Sequence, residues 1–153
     1  MPKHTIALEW LRNTLDFNYD TYSRSHSIAF GTDGKVCGSA APEFHGDPNC
    51  LDPEQAFVMA LASCHMLTFL AIACKKGFIV DRYVDKAVGE LGKNQQGKMA
   101  MTKVELRPEV VFSGIRIPTD EEFKMLHDRA HGGCIIANSV ARCVEVIVRP
   151  TLQ

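Results

Sequence analysis

The sequence has no excess of charge of either sign: 17 basic and 18 acidic side chains leave a formal net charge of -1 and an isoelectric point near 6.6. Without an overall basic field there is no electrostatic pull toward nucleic acid or an anionic membrane surface, and small neutral partners fit better. Internal repeats, low-complexity tracts and Pro/Ser-rich linkers are also missing. Their absence, with apolar residues spread over the whole length, predicts one domain covering residues 1–153. The stretch from Met1 to Trp10 lacks the charged opening, apolar run and small-residue cleavage site of a secretory signal. A cytoplasmic location is therefore expected.

What is present begins with six cysteines, Cys37, Cys50, Cys64, Cys74, Cys134 and Cys143. In a chain without an export signal they should be reduced, so a structural disulfide framework is not expected. Free cysteine behaves as a small hydrophobe, and burial accounts for most such residues. Cys37, Cys50, Cys74 and Cys143 match no motif and read as buried or bystander thiols.

Along the chain, Ile6, Leu8 and Trp10 alternate on one face of a first strand within residues 4–12. A second strand is predicted near 26–30, a turn at Gly31-Thr32-Asp33-Gly34, and a third strand around 35–39. Pro42, Gly46, Pro48 and Asn49 mark 40–51 as a loop. Asp52 as N-cap, Pro53 in first position, Glu54 in the first turn and Gln55 three after the cap then start a helix. It runs to about Lys76, with Gly77 as its stop, and residues 56–74 hold no formal charge. Such a helix must be buried on all sides. Its length also suits a membrane span, but Ser63, His65 and Thr68 interrupt its middle and the remaining chain is patterned as a soluble domain. No membrane association is expected.

Residues 79–91 and 99–113 read as two long strands joined by the polar turn 93–98. Thr119 and Glu122 form a capping box for a second helix that ends at Gly132-Gly133. Cys134 follows at the start of a further helical turn, and Val144, Val146 and Val148 alternate along a last strand. Strands, helix, hairpin, helix and strand in this order define an α+β fold.

Asp52-Pro53-Glu54-Gln55, then Ser63-Cys64 on an apolar helix, then a distant Cys134 after a second helix, resemble the OsmC/Ohr superfamily over nearly the whole chain. Ile135 rather than proline follows Cys134, and His65 follows Cys64, as in a separate branch of that family. The resemblance implies antiparallel strands around a long buried central helix, an intertwined homodimer, and Cys64 as the peroxide-reacting thiolate with Cys134 as its disulfide partner. It also implies that Glu54, ten positions before Cys64, and Arg24 of the early hairpin complete the catalytic site. The chemistry is consistent: burial raises a thiol's pKa, so a buried reactive cysteine needs a cation, and Glu54 can aim the Arg24 guanidinium in a bidentate pair. Ten helical residues rise about 15 Å, so Arg24 must bridge that gap or Glu54 must act from the partner subunit. A helix start at Cys134 is expected to lower its pKa and make it a good resolving thiol.

The implied cycle reduces an organic hydroperoxide to its alcohol, leaves Cys64 as sulfenic acid and closes a Cys64–Cys134 disulfide. An external dithiol, in that family typically a lipoyl-bearing protein, then reopens it. No cofactor is called for. Phe57, Met59, Met66, Leu67 and Phe69 flank the cysteine and suggest an apolar approach. Two other functions compete. His127 and His131, four apart on one helix face, with Cys134 and joined by Cys64 and His65, form a plausible soft-metal (zinc) set. A catalytically idle dimeric binding protein follows if the two cysteines lie too far apart.

Overall fold

The computed structural model describes all 153 residues, which fold as two compact units, Met1–Ala56 and Phe57–Gln153. The first unit is an antiparallel sheet of β1 (Ile6–Glu9), β2 (His26–Phe30) and β3 (Gly34–Gly38), in that order, with Leu8 opposite Ile28 and Ile28 opposite Val36. Gly31, at φ 59°, takes the left-handed conformation that the β2–β3 turn requires. Beyond β3, a single 3-10 turn, Pro42–Phe44, is the only regular element in the expected loop.

The first unit corrects one sequence expectation: Cys37 and Cys50 form a disulfide and are not reduced bystanders. Local pairing explains it. The Leu51 N–H donates to the Cys37 carbonyl (2.9 Å) and the Ser39 N–H to the Leu51 carbonyl (3.0 Å), a parallel bridge between Gly38 and Leu51. That bridge holds the two cysteine Cα atoms 4.9 Å apart, within disulfide span. No local turn signal announces a parallel bridge between a strand and the residue before a helix cap.

Helix α1 (Pro53–Lys75) has the capping its sequence called for. The Gln55 N–H donates to the Asp52 carboxylate (2.6 Å), and the Asp52 N–H to the Gln55 side-chain carbonyl (3.2 Å). At its end Gly77 turns left-handed (φ 80°), the Gly77 N–H bonds the Cys74 carbonyl and the Phe78 N–H the Ala73 carbonyl, which is a Schellman stop. Leu61, His65, Phe69 and Ala73, four residues apart, are its buried stripe. Only 22% of its most apolar stretch is buried, and Met59 and Leu67 are more than half exposed. Burial on all sides is thus not achieved within one chain. By length and composition α1 is also a helix capable of crossing a membrane.

In the second unit the two long strands of the sequence reading are four: β4 (Ile79–Asp85), β5 (Val88–Lys93), β6 (Met99–Leu106) and β7 (Pro108–Ser113). The breaks fall at Lys86-Ala87 and at Arg107, the latter just before Pro108, where an extended residue is enforced. Each break moves the chain to another sheet. β5 and β6 form the expected hairpin and continue, in parallel, to β8 (Glu145–Val148), while β4 pairs with β7 and β7 with the short β9 (Thr151–Leu152). Between them lie α2 (Asp120–Gly133) and α3 (Ile135–Val140).

Thr119 and Glu122 cap α2 reciprocally at 3.2 and 3.0 Å, and Arg116 holds the same Glu122 carboxylate at 2.9 Å. Thr119→Ala is expected to lower stability by about 1 kcal/mol. Urea unfolding of the two proteins at pH 7 checks this, and equal midpoints would remove the cap from the list of stabilising contacts.

Two apolar clusters in this unit meet on α1. Phe69 and Ala73 pack with Val110, Phe112, Phe123 and Leu126. Leu61 packs with Val104, Leu106, Cys134, Ala137 and Val144. His65 stands on the stripe between them.

Candidate functional site

Cys64 and Cys134 belong to the second of those clusters, half-buried and fully buried respectively. α1 presents Cys64, and Cys134 occupies the junction of α2 and α3, where it caps both. The break between those helices follows from Gly132-Gly133, which carries no side chain to continue the packing. There the Cys134 N–H donates to the His131 carbonyl (3.2 Å), while its sulfur accepts the Ala137 N–H (3.4 Å). Both thiols are free.

The two sulfurs are differentiated by what reaches them. Burial, the largest influence, pushes the Cys64 thiol up, but the Cys134 thiol, the Ile136 and Ile135 amides and the Thr68 hydroxyl donate toward its sulfur, and the net shift is downward. Thr68 also donates to the Cys64 carbonyl (2.8 Å), so its single proton serves one acceptor at a time. Cys134 moves the other way, to about 11: burial raises it first, and donating its proton to Cys64 raises it further. The helix-start amides of Ala137 and Ile136 do act to lower Cys134, but burial and the proton it shares with Cys64 outweigh them. The expected lowering of Cys134 is thus overridden because its thiol is sealed from water and donates its proton to Cys64.

Arg24 and Glu54 lie in the first unit. The Arg24 guanidinium donates to the Tyr22 carbonyl (2.6 Å) and the Tyr19 carbonyl, and its centre stands 3.8 Å over the Tyr22 ring and 4.8 Å from that of Tyr19. Within the chain neither Arg24 nor Glu54 enters an ion pair, so the bidentate pair expected of them is not formed there. Instead, Arg24 lines a largely apolar groove of about 610 Å³ with Leu8, Trp10, Phe17, Tyr22 and His26.

His65 and His127 are 1% and 2% exposed, their rings are parallel within 5°, and His65 Nε2 lies 3.0 Å from His127 Nδ1. Phe69 stacks on His127 at 4.3 Å and Phe123 meets it edge-on at 4.7 Å. Burial, then the nearby charge of His131, lowers His65 to about 4. For His127 burial, then the His65 charge, lowers it to about 3, with Asp128 opposing. The outer nitrogens, His65 Nδ1 and His127 Nε2, have no partner, nor has His131 Nδ1. A buried histidine pair was not anticipated. Its signal was there to read: His65 falls on the same i, i+4 row as Leu61, Phe69 and Ala73. No three of the cysteines, histidines and carboxylates converge to hold an ion, so the soft-metal set of Cys64, His65, His127, His131 and Cys134 does not assemble.

The family model described as OsmC-like protein matches residues 46–149, and the chain belongs to that family. It is similar to an OsmC-like protein of unknown function from Vibrio cholerae O1 biovar eltor: 44% identity, 99% of this chain and 100% of that one covered, TM-score 0.91. An OsmC-like protein of Mycoplasma pneumoniae shares the fold at 18% identity, with 99% and 97% of the chains covered and a TM-score of 0.74. So does the organic hydroperoxide resistance protein OhrB of Bacillus subtilis, at 15% identity, 97% and 98% coverage and a TM-score of 0.69. No protein with a curated description matches the chain.

Proposed function

We propose that the protein is a thiol peroxidase that reduces organic hydroperoxides to alcohols and acts in oxidative stress defence. One observation carries this: two free thiols share one apolar cluster, and their surroundings shift them in opposite directions, Cys64 toward thiolate and Cys134 toward thiol. The Cys64 thiolate attacks the distal peroxide oxygen, the O–O bond breaks, and the alkoxide leaves as alcohol with Cys64 as sulfenic acid. Cys134 then attacks that sulfur, water leaves, and the disulfide forms. An external dithiol, of which a lipoylated protein is one example, returns both cysteines to thiols. The distant relative named for organic hydroperoxide resistance supports the same substrate class.

In this proposal the working form is a cytoplasmic homodimer in which a second copy covers the apolar faces of α1 left open in one chain. Arg24 and Glu54 keep the catalytic roles that the family resemblance implies for them. The histidine and cysteine placement gives no independent support to a metal-binding alternative.

Around the cysteines the apolar surroundings are Phe57, Val58, Leu61, Met101 and Ile136, whereas Met59 and Leu67 face outward. Since each buried CH₂ is worth about 0.8 kcal/mol, cumene hydroperoxide should react at least roughly tenfold faster than hydrogen peroxide. Stopped-flow competition measures the ratio. Intact-mass analysis after one equivalent of peroxide should show loss of two hydrogens and a Cys64–Cys134 cross-link. An unchanged mass with peroxide left unconsumed would refute the peroxidase function.

A further inference from the structure

We propose that the Cys37–Cys50 disulfide is a second redox site, at which a small thiol carrying both a carboxylate and an ammonium group attacks Cys37 and becomes covalently attached to it. The site lies wholly within the first unit and does not depend on the peroxidase function above.

Strand register places the target in the open. Glu9 of β1 pairs with Ser27 of β2, and Ser27 with Cys37 of β3, so the three form one row across the sheet. All three are exposed. Beside them runs a groove of about 490 Å³, lined by Cys37 with Glu9, Leu11, Ser27, Lys35 and Val36. Its volume suits a small molecule. Cys50 is half-buried and does not line the groove, so an incoming thiolate reaches the Cys37 sulfur and Cys50 is the leaving group. Glu9 and Lys35 enter no ion pair within the chain. One charge of each sign is therefore free for a ligand: Lys35 for a carboxylate and Glu9 for an ammonium, with Leu11 and Val36 offering apolar contact to the carbon chain. Amino-acid and peptide thiols have this chemistry.

The exchange balances without a further reactant. The thiolate bonds to the Cys37 sulfur, the Cys37–Cys50 bond breaks, and Cys50 departs with the electron pair and takes up the proton that the small thiol lost. Return is the same step reversed, with Cys50 attacking Cys37 and expelling the thiol. The chain is built to hold Cys50 ready for it. The segment 39–51 is fastened by bonds that do not involve the disulfide. The Leu51 N–H donates to the Cys37 carbonyl (2.9 Å), the Ser39 N–H to the Leu51 carbonyl (3.0 Å), and the Cys50 N–H to the Asp47 carbonyl (3.1 Å). The buried Ser39 hydroxyl accepts the Asp47 N–H (3.0 Å). Gly46 lies so near the Ala40 carbonyl that a β-carbon would stand 1.5 Å from its oxygen. With the disulfide open these contacts keep the two cysteines neighbours, and reclosure is intramolecular. Exposed disulfides are the labile ones, and in the cytoplasm proposed above small thiols challenge this one continuously. It persists by reclosing rather than by being shielded.

The test treats the wild-type protein, disulfide closed, with reduced glutathione at neutral pH, quenches with N-ethylmaleimide and maps the peptides. Glutathione should be found on Cys37 and the maleimide on Cys50, in at least about tenfold excess over the reverse, because access decides which sulfur is attacked. Freed of excess glutathione, the unquenched product should reclose and release the attached molecule. The opening rate with glutathione relative to uncharged mercaptoethanol, normalised to the same ratio on an unhindered model disulfide, should be about fivefold, the scale of two exposed ion pairs. The double variant Glu9→Gln, Lys35→Gln should remove that preference. Glutathione on Cys50, or equally on both cysteines, would overturn the site, as would a bond that glutathione opens only after unfolding in urea. A preference unchanged in the double variant would overturn the assigned ligand class. If that variant fails to fold, the wild-type rates decide: no preference for glutathione overturns the class, and a preference supports it. None of these readouts involves peroxide, so failure here is distinguishable from failure of the Cys64 chemistry.

Discussion

Cys64→Ser is expected to abolish peroxide consumption, while Cys134→Ser should still consume one equivalent and stop at a sulfenic acid that can be trapped on Cys64. The asymmetry follows from what each sulfur receives. Cys64 is approached by the Cys134 thiol, the Ile136 and Ile135 amides and the Thr68 hydroxyl, all of which favour its thiolate. A serine hydroxyl there accepts the same hydrogen bonds but is a very weak nucleophile toward peroxide. In Cys134→Ser the new hydroxyl can still donate to Cys64, so the first oxidation survives. Without a resolving thiol, excess peroxide should carry Cys64 on to sulfinic acid. Mass spectrometry with a sulfenic-acid trap reads all of these states. A trapped sulfenic acid on Cys134 in the Cys64→Ser protein would reverse the two roles.

Much of this arrangement was legible in the sequence because it depends on short-range rules. The Asp52/Gln55 and Thr119/Glu122 capping boxes and the Gly77 stop lie where local hydrogen bonding demands them, and each forms as read. The α+β order and the polar turn between β5 and β6 are of the same kind. What was not legible depends on contacts distant in sequence. The division of 79–113 into four strands is decided by which sheet each segment joins, and only Pro108 hints at it. The Cys37–Cys50 disulfide needs the parallel bridge of Gly38 with Leu51. His65 reads as an interruption of an apolar helix until α2 supplies His127. For Cys134 the helix start is legible in the sequence, but the burial and the Cys64 neighbour that outweigh its amides are matters of tertiary geometry. Arg24 was assigned through family resemblance, and its environment in the chain, a stack over Tyr22, has no counterpart in the local sequence signals.

The buried histidine pair leads to the other large effect, a loss of stability in mild acid. Both pKa values are lowered on folding, His65 to about 4 and His127 to about 3, from about 6.5 in an unfolded chain. Between pH 6.5 and 4 the unfolded state therefore binds protons that the folded state refuses, so stability falls as pH falls. Each histidine contributes a slope of up to about 1.4 kcal/mol per pH unit. From pH 7 to 4.5 the two together should remove roughly 3 to 5 kcal/mol, a large part of a typical domain's total. The carboxylates do not account for this window. Asp16, Glu105 and Glu122 have lowered pKa values through hydrogen bonds with Thr21, Arg107 and Thr119, so their stabilisation is lost only as pH falls below the ordinary carboxylate range. Asp85 is raised by burial and acts in the opposite sense. His127→Gln separates the cause: its amide oxygen can still accept from His65 Nε2, but it cannot titrate. Urea midpoints measured from pH 7 to 4.5 should fall steeply for the wild type and about half as steeply for the variant. Equal slopes in the two proteins would show that acid sensitivity originates elsewhere, and a flat wild-type profile would show that the pair is protonated as readily in the folded protein as in the unfolded chain.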